Sequence, residues 1–162
     1  AETESLVALA VATGLFRPEE ADLLLRQTLE ELHSGRLGEG HFAHVREDEH
    51  EGSPAAWAYF SASAKADAVW DLWWIGVAPS RQGSGVGSEL LAFVEAEVRR
   101  RGGRVLVIET SALPQLAATR VFYRRRGYLE CGCVPDFYAP GDGKITFAKT
   151  LAPQSARRAA SP

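Results

Sequence analysis

The chain has 162 residues, 46% of them hydrophobic and 24% charged, which is the composition of one ordinary globular domain. Its formal net charge of −3 argues against a basic nucleic-acid-binding surface, and its apolar runs fall short of a transmembrane helix. The acidic first residues lack the basic start of a secretory signal. Cys131 and Cys133 would share one face of a strand, a spacing that is poor for a disulfide, and no histidine or cysteine cluster stands beside them. We therefore expect a cytoplasmic protein with no metal, no nucleic-acid partner and no membrane span.

Two helices are predicted at the start of the chain, over residues 3–13 and from Pro18 to about Gly35. Proline at a first helical position followed by two acids is typical of a helix start. The second helix carries an apolar stripe that includes Leu24, Leu25 and Leu29. The segments that follow predict three strands, at 41–45, 55–61 and 69–77.

A glycine-rich loop at 83–87 opens the next helix, which has apolar residues every four positions and ends in three arginines before two glycines. The remaining predicted elements are a strand at 104–109, a helix from Pro114 to Gly127, and strands at 128–134 and 144–151. The segment 136–143 reads as a turn, and residues 152–162 read as a disordered tail. This order predicts a single α/β domain over residues 1–151.

The glycine-rich loop is typical of an anion site, because a helix start exposes backbone N–H groups that have no helical partner. A Walker loop would end in a lysine, whereas Gly87 is followed by Ser88 and Glu89. A dinucleotide fingerprint would need a third glycine where Ser88 stands, although Glu109 lies about where a ribose-binding acid would be expected. A glycine turn without any ligand is a further alternative.

Two motifs point to a third kind of phosphate site. Residues 82–87 fit the pattern Q/R-x-x-G-x-G/A, and residues 121–128 fit F-Y-x-x-x-G-F/Y. In this order and spacing they resemble the GCN5-related N-acetyltransferase (GNAT) superfamily, over about residues 55–151. The resemblance implies a central mixed, mostly antiparallel sheet flanked by helices and splayed between the strands that end near Val77 and Glu109. It also implies a strand before the first helix, which is truncated or irregular in this sequence.

The family resemblance implies acetyl-CoA as the co-substrate. The pantetheine would pair with the backbone of Ile75, Gly76 and Val77, and the Val77 N–H would face the thioester. The pyrophosphate would bind the loop, formed by Gln82, Gly83, Ser84, Gly85, Val86, Gly87 and Ser88. Many members carry an asparagine early in the next helix, where Thr119 is a partial substitute, and Phe122 of the second motif would complete the cofactor contacts.

In this family an amine attacks the thioester directly, which requires a base for the amine and an acid for the leaving thiolate. Tyr123 matches the family's phenol that protonates the thiolate. Asp71 and Glu109 are the candidate bases, and Asp71 is favoured because its aromatic strand is expected to raise its pKa. The structural alternatives are a core tyrosine and two solvated acids at strand ends.

The acceptor is less clearly marked. Trp73, Phe137 and Tyr138 are candidates for the wall of an acceptor pocket, and Asp136 or Asp142 for holding a cationic amine. The segments 71–75, 109–111 and 136–142 resemble a bacterial subgroup, some members of which have been labelled amino-acid acetyltransferases. We expect a small amine or an amino acid as the acceptor. The alternatives are a protein N-terminus or lysine and, in a different class, a non-catalytic acetyl-CoA-binding module. Because dimers are common in the family, a homodimer is a further hypothesis.

Overall fold

The computed structural model describes residues 2–14, 16, 18–48 and 52–151, so the predicted tail at 152–162 lies outside the described residues. The helices are α1 (Glu2–Ala12), α2 (Pro18–Ala21), α3 (Gln27–His33), α4 (Val86–Arg100) and α5 (Ala117–Arg125). The strands are β1 (His41–Glu47), β2 (Pro54–Ala62), β3 (Val69–Val77), β4 (Val105–Ser111), β5 (Leu129–Ala139) and β6 (Asp142–Thr150). None of the helices in these ranges is both long and apolar enough to cross a membrane.

The strands form one six-stranded sheet in the order β1-β2-β3-β4-β6-β5. β3 and β4 are parallel, whereas β1 and β2, β4 and β6, and β5 and β6 are antiparallel pairs. The register of β3 with β4 runs from Val69↔Val105 to Leu72↔Ile108, although β3 continues to Val77 and β4 to Ser111. This confirms the predicted mixed sheet, which is splayed between these two strands.

Residues 1–61 and 74–94 form one compact unit. Its core contains apolar residues of α1, α2, α3 and the turn between α2 and α3, together with aromatic residues of β2 and β3. These are Leu6, Val7, Leu9, Ala10, Ala21, Leu25, Leu29, Trp57, Tyr59 and Trp74. The indole N–H of Trp57 donates a 3.2 Å hydrogen bond to the Leu6 carbonyl, which ties β2 to α1.

The second predicted helix is interrupted in the structure. A π-helical turn, Asp22–Arg26, separates α2 from α3. A π turn inserts extra residues into the helical repeat and therefore shifts the apolar stripe. As a result Leu25 and Leu29 are buried as predicted, whereas Leu24 is 55% exposed.

Residues 62–73 and 95–151 belong to the second compact unit. Its buried hydrophobic side chains are Trp70, Leu72, Val98, Leu106, Ile108, Tyr123, Tyr128, Ile145, Phe147 and Leu151. Gly103 lies between α4 and β4 where a Cβ atom would be 2.3 Å from Val98 Cγ1 and 2.6 Å from Trp70 Cδ1. These distances are far below van der Waals contact, so this crossing of the chain requires glycine.

The predicted turn at 136–143 is too long. β5 extends to Ala139 and β6 begins at Asp142, so the connection is Pro140 and Gly141. Phe137 and Tyr138 have the side chains that strands favour, which explains the extension. The irregularity is instead a register shift between Val134 and Ala139, where Asp136 has a φ of 53° and accepts a 2.7 Å hydrogen bond from the Gly141 N–H.

Candidate active site

The predicted cofactor strand, Ile75, Gly76 and Val77, is the C-terminal end of β3. Gly76 is buried against the Trp74 ring, where an added Cβ would be 2.5 Å from Cζ2. The strand therefore needs a glycine here so that the indole can lie along its own backbone. The next residue after the strand, Ala78, donates a 2.8 Å hydrogen bond from its N–H to the Ala55 carbonyl.

The glycine loop links a short 3-10 turn, Pro79–Arg81, to the first residue of α4, Val86. Gly83 and Gly85 have φ angles of 77° and 94°, a left-handed region that favours glycine. The loop residues from Gln82 to Gly85 are exposed, and Val86, Gly87 and Ser88 are half-buried. A helix start with this exposure has the backbone donors and the positive end of the helix dipole that bind phosphate.

Contacts within the first compact unit attach the glycine loop to the cofactor strand. The Gln82 side-chain amide donates a 3.3 Å hydrogen bond to the Val77 carbonyl. A Cβ on Gly87 would be 3.3 Å from Val77 Cγ2, so the start of α4 packs closely against the strand end. The structure thus brings together the predicted pantetheine and pyrophosphate segments, 75–77 and 82–88.

Asp71 and Glu109 both lie in the second unit, on neighbouring strands. Asp71 is opposite Val107 in the parallel register, and Glu109 is two residues beyond Val107 on the same side of β4. Burial raises the pKa of Asp71, against the lowering effects of a hydrogen bond with the Ser63 side chain and the charge of Lys65. The negative charge of Glu109 raises it further. The predicted upward direction of the Asp71 pKa is therefore confirmed.

Glu109 forms an ion pair that the sequence analysis missed. Lys144 Nζ lies 3.0 Å from Glu109 Oε1 and 4.0 Å from the centroid of the Phe137 ring. The Lys144 side chain is only 16% exposed, which strengthens both interactions. A lysine at the first position of a predicted strand has no local sequence signal that distinguishes it from a solvated residue. Only the strand register, Lys144↔Ser111, brings it to Glu109.

Three of the predicted acceptor residues lie close to Glu109. Burial raises the pKa of Tyr138, and the charges of Glu109 and Asp142 raise it further. Phe137 and Tyr138 form an edge-on pair with centroids 5.0 Å apart, and each is about half exposed. Asp142 accepts a 2.5 Å hydrogen bond from the Ser111 hydroxyl. The structure thus joins Phe137, Tyr138 and Asp142 to Glu109.

Two other predicted acceptor residues are placed differently. Trp73 is 61% exposed and lies two residues after Asp71 on β3. Asp136 accepts a hydrogen bond from the Gly141 N–H and so stabilises the hairpin turn.

Tyr123 lies on α5 and is 4% exposed. Its ring packs 5.7 Å from Phe147 and 5.9 Å from Tyr128, measured between centroids. Burial raises the pKa of Tyr123 above that of a free phenol, so the hydroxyl keeps its proton at neutral pH and can donate it.

The other predicted cofactor residues of α5, Thr119 and Phe122, are half-buried, and the Arg126 guanidinium lies 5.6 Å over the Phe122 ring. Arg120, which the sequence analysis did not single out, anchors the segment before this helix. Its guanidinium donates hydrogen bonds of 2.8 and 2.9 Å to the carbonyls of Ser111 and Leu113.

No group of three or more histidine, cysteine, aspartate or glutamate side chains is placed to hold a metal ion in the part of the chain that the structure describes. Cys131 and Cys133 are free thiols, and both are exposed on β5.

Comparisons with known proteins identify the fold and the family. The model of the Acetyltransferase (GNAT) family matches residues 9–128. A search of the curated proteins found no match. Among solved structures, a protein from Desulfovibrio desulfuricans assigned to the GNAT family shares 36% identity over 93% of each chain, with a TM-score of 0.83.

More distant structures share the fold. The ribosomal-protein-S18-alanine N-acetyltransferase from Escherichia coli is 21% identical over 94% of this chain and 90% of its own, with a TM-score of 0.70. An aminoglycoside 6'-N-acetyltransferase complexed with coenzyme A is 22% identical over 94% and 92% of the two chains, with a TM-score of 0.73. We conclude that the chain belongs to the GNAT family of acetyltransferases and is an acetyl-CoA-dependent N-acetyltransferase.

Proposed function

We propose that this protein transfers the acetyl group of acetyl-CoA to the primary amine of a small molecule or an amino acid, by direct attack in a ternary complex. The observation that carries this proposal is the cluster of Asp71, Glu109 and Lys144 beside the half-exposed rings of Phe137 and Tyr138. Such a cluster combines a candidate base with carboxylates and aromatic faces that attract an ammonium group.

In the proposed binding mode, acetyl-CoA lies along the segment 75–77 and on the glycine loop. The backbone of Ile75 and Val77 pairs with the pantetheine amides as an added strand would. The N–H groups at the start of α4 hold the pyrophosphate. Thr119 and Phe122 of α5 complete the contacts with the cofactor.

Asp71 is the proposed base. An acceptor amine has a pKa of about 10, so it must lose a proton before it can attack. Asp71 has the raised pKa that suits this task, whereas Glu109 is held by Lys144 in a 3.0 Å ion pair. Because an aspartate side chain is short, a water molecule would relay the proton from the amine to Asp71.

Tyr123 is the proposed acid. The amine nitrogen forms a bond to the acetyl carbon, the carbon–sulfur bond breaks, and the sulfur leaves with the bonding electron pair. The thiolate then takes the proton of the Tyr123 hydroxyl, which burial keeps neutral at physiological pH. The bonded nitrogen loses its second proton to solvent, which gives the acetylated amine beside free coenzyme A. Asp71 then releases its proton to solvent and Tyr123 regains one from solvent, so that one proton is released in each turnover.

The proposed acceptor site is formed by Trp73, Phe137 and Tyr138, with Asp142 as a carboxylate for a cationic acceptor. We place the reaction in the cytoplasm, because the exposed thiols of Cys131 and Cys133 suit a reducing compartment. A homodimer is a further hypothesis, because dimers are common in this family.

The test is an assay of free thiol with acetyl-CoA and a panel of amino acids, polyamines and peptides with free N-termini. We expect thiol release with a member of the first two groups, and strong loss of it in Asp71→Asn. Release with peptides alone would favour a protein acceptor. Tight binding of acetyl-CoA without release for any acceptor would favour a non-catalytic module.

A further inference from the structure

Asp48 is a charged residue with an unusual environment for its position. It follows β1 directly and is only 7% exposed. Its Oδ2 atom lies 2.5 Å from both Nε and Nη2 of Arg81. The backbone around it is also fixed, because the Asp48 N–H donates to the Ser53 carbonyl at 2.8 Å and the Gly52 N–H donates to the Asp48 carbonyl at 3.0 Å. The backbone of Asp48 is therefore held at both its N–H and its carbonyl.

Arg81 is the last residue of the 3-10 turn that precedes the glycine loop. Its carbonyl accepts a 2.5 Å hydrogen bond from the Ser84 hydroxyl and a 3.4 Å hydrogen bond from the Ser84 N–H. Its own N–H donates to the Ala78 carbonyl at 2.8 Å. Arg81 therefore contacts Asp48 through its side chain and the glycine loop through its backbone.

The glycine loop needs such an external contact. Gly83 and Gly85 both have positive φ angles, and glycines leave a loop many conformations that it must give up to bind a ligand. A loop that is already ordered loses less conformational entropy on binding. Holding a buried carboxylate against a half-exposed guanidinium contributes little net stability, because the desolvation of the carboxylate opposes the attraction between the two charges. A role in fixing the loop accounts better for this pair than a role in stability.

We propose that Asp48 is a positioning residue for the cofactor. Through Arg81 it holds the glycine loop in the conformation that directs its backbone N–H groups to the pyrophosphate of coenzyme A. This inference rests on the proposed use of that loop for the cofactor. When the pair is broken, the loop spends a smaller fraction of time in the binding conformation, and the apparent dissociation constant rises in inverse proportion to that fraction.

The experiment measures the dissociation constants of coenzyme A and 3'-dephospho-coenzyme A by calorimetry for the wild type, D48N, R81Q and the double variant. We expect each variant to weaken binding of both ligands by about tenfold, which corresponds to a tenfold fall in the competent fraction. The double variant is expected to bind within about twofold of the single variants, since one ion pair is lost in all three. At saturating acetyl-CoA, kcat is expected to stay within about twofold of the wild type.

A second measurement follows amide hydrogen exchange of the segment 79–88 in the ligand-free protein. Exchange is expected to become faster in D48N and R81Q than in the wild type, because the loop opens more often. The matched control is D22N, the same substitution in the exposed ion pair of Asp22 with Arg26, which is expected to leave exchange and binding unchanged.

The inference is overturned if D48N binds coenzyme A as the wild type does, or if the two single effects multiply in the double variant. It is also overturned if only coenzyme A is affected, since Arg81 would then contact the 3'-phosphate directly. If the wild type binds neither ligand, the proposed function fails, and the exchange measurement still decides whether Asp48 holds the loop. If D48N does not fold, R81Q decides with the same two ligands, because Arg81 is 39% exposed and tolerates substitution.

Discussion

The phenol of Tyr123 has two properties that bear on catalysis. Its ring is part of an aromatic group with Phe147 and Tyr128, and it is 4% exposed. Because burial raises the Tyr123 pKa, the deprotonated form is scarce throughout the neutral range. A hydroxyl in this state is a proton donor that does not titrate away as the pH rises toward 9.

We predict that Tyr123→Phe lowers kcat by about 100-fold, the lower end of the range for general acid catalysis. The dissociation constant of coenzyme A is expected to change less than about threefold, because the ring remains in place. Steady-state kinetics and calorimetry measure the two quantities. Equal turnover in the variant would remove Tyr123 from the mechanism.

The carboxylates of Asp71 and Glu109 differ in their surroundings. Glu109 is paired with Lys144, and its negative charge raises the pKa of Asp71. If Asp71 is the base, kcat/KM falls as the pH drops through the raised pKa of Asp71, because the protonated carboxyl cannot accept the amine proton.

We predict that Glu109→Gln moves this acidic limb to lower pH, since removing a neighbouring negative charge lowers the Asp71 pKa. Activity at neutral pH is expected to persist in Glu109→Gln and to fall by about 100-fold in Asp71→Asn. The measurement is kcat/KM as a function of pH for both variants. An active Asp71→Asn together with an inactive Glu109→Gln would assign the base to Glu109.

Among the elements, α4 is tied to its neighbours by one buried acid. Glu95 is 7% exposed and accepts hydrogen bonds from the Tyr128 hydroxyl at 3.1 Å and from Lys149 Nζ at 2.8 Å. Arg99 contacts its other carboxylate oxygen at 3.2 Å. Lys149 also donates a 2.8 Å hydrogen bond to the Arg126 carbonyl. Glu95 thus connects α4 to β6 and to the chain that follows α5.

We predict that Glu95→Gln lowers the free energy of unfolding by about 2–3 kcal/mol, because Lys149 and Tyr128 lose a charged acceptor in a buried place. Urea unfolding followed by circular dichroism and tryptophan fluorescence measures this change. Glu97→Gln is the control on the same helix. The Glu97 side chain is 23% exposed, against 10% for Glu95, and its pairs with Arg100 and Arg101 are expected to contribute less than about 1 kcal/mol. An equal effect of the two substitutions would contradict the role given to Glu95.

At the scale of the whole molecule, the residues proposed for cofactor and catalysis belong to different parts of the chain. The segment 75–77 and the glycine loop belong to the unit formed by residues 1–61 and 74–94. Asp71, Glu109 and Tyr123 belong to the unit that contains residues 62–73 and 95–151. A ligand that binds only folded protein stabilises it by mass action, whichever residues it contacts.

We predict that coenzyme A at 100 times its dissociation constant raises the free energy of unfolding by about 2.7 kcal/mol. For a chain of this size that corresponds to an increase in Tm of roughly 5–10 °C. Differential scanning calorimetry at several ligand concentrations measures the shift, with pantetheine as the control that lacks the nucleotide. A Tm independent of coenzyme A concentration would contradict the proposed cofactor site.

The sequence alone determined the parts of this protein that depend on local spacing. The glycine loop and the helix after it were predicted from the spacing of glycines and from apolar residues that recur every four positions. The motifs at 82–87 and 121–128 predicted the family, because a phosphate-binding helix start needs its glycines at fixed positions in the chain.

The tertiary structure decided which distant residues meet. The pairs Lys144 with Glu109 and Arg81 with Asp48 join residues more than thirty positions apart. The spacing of residues along the chain does not predict such pairs, because strand register is set by the packing of whole strands and the geometry of their turns. The π turn, in which Leu24 is exposed, was likewise not indicated by the apolar spacing of the predicted helix. The candidate residues could therefore be identified from the sequence. Their interaction partners, and the different electrostatic environments of Asp71 and Glu109, depend on the tertiary structure.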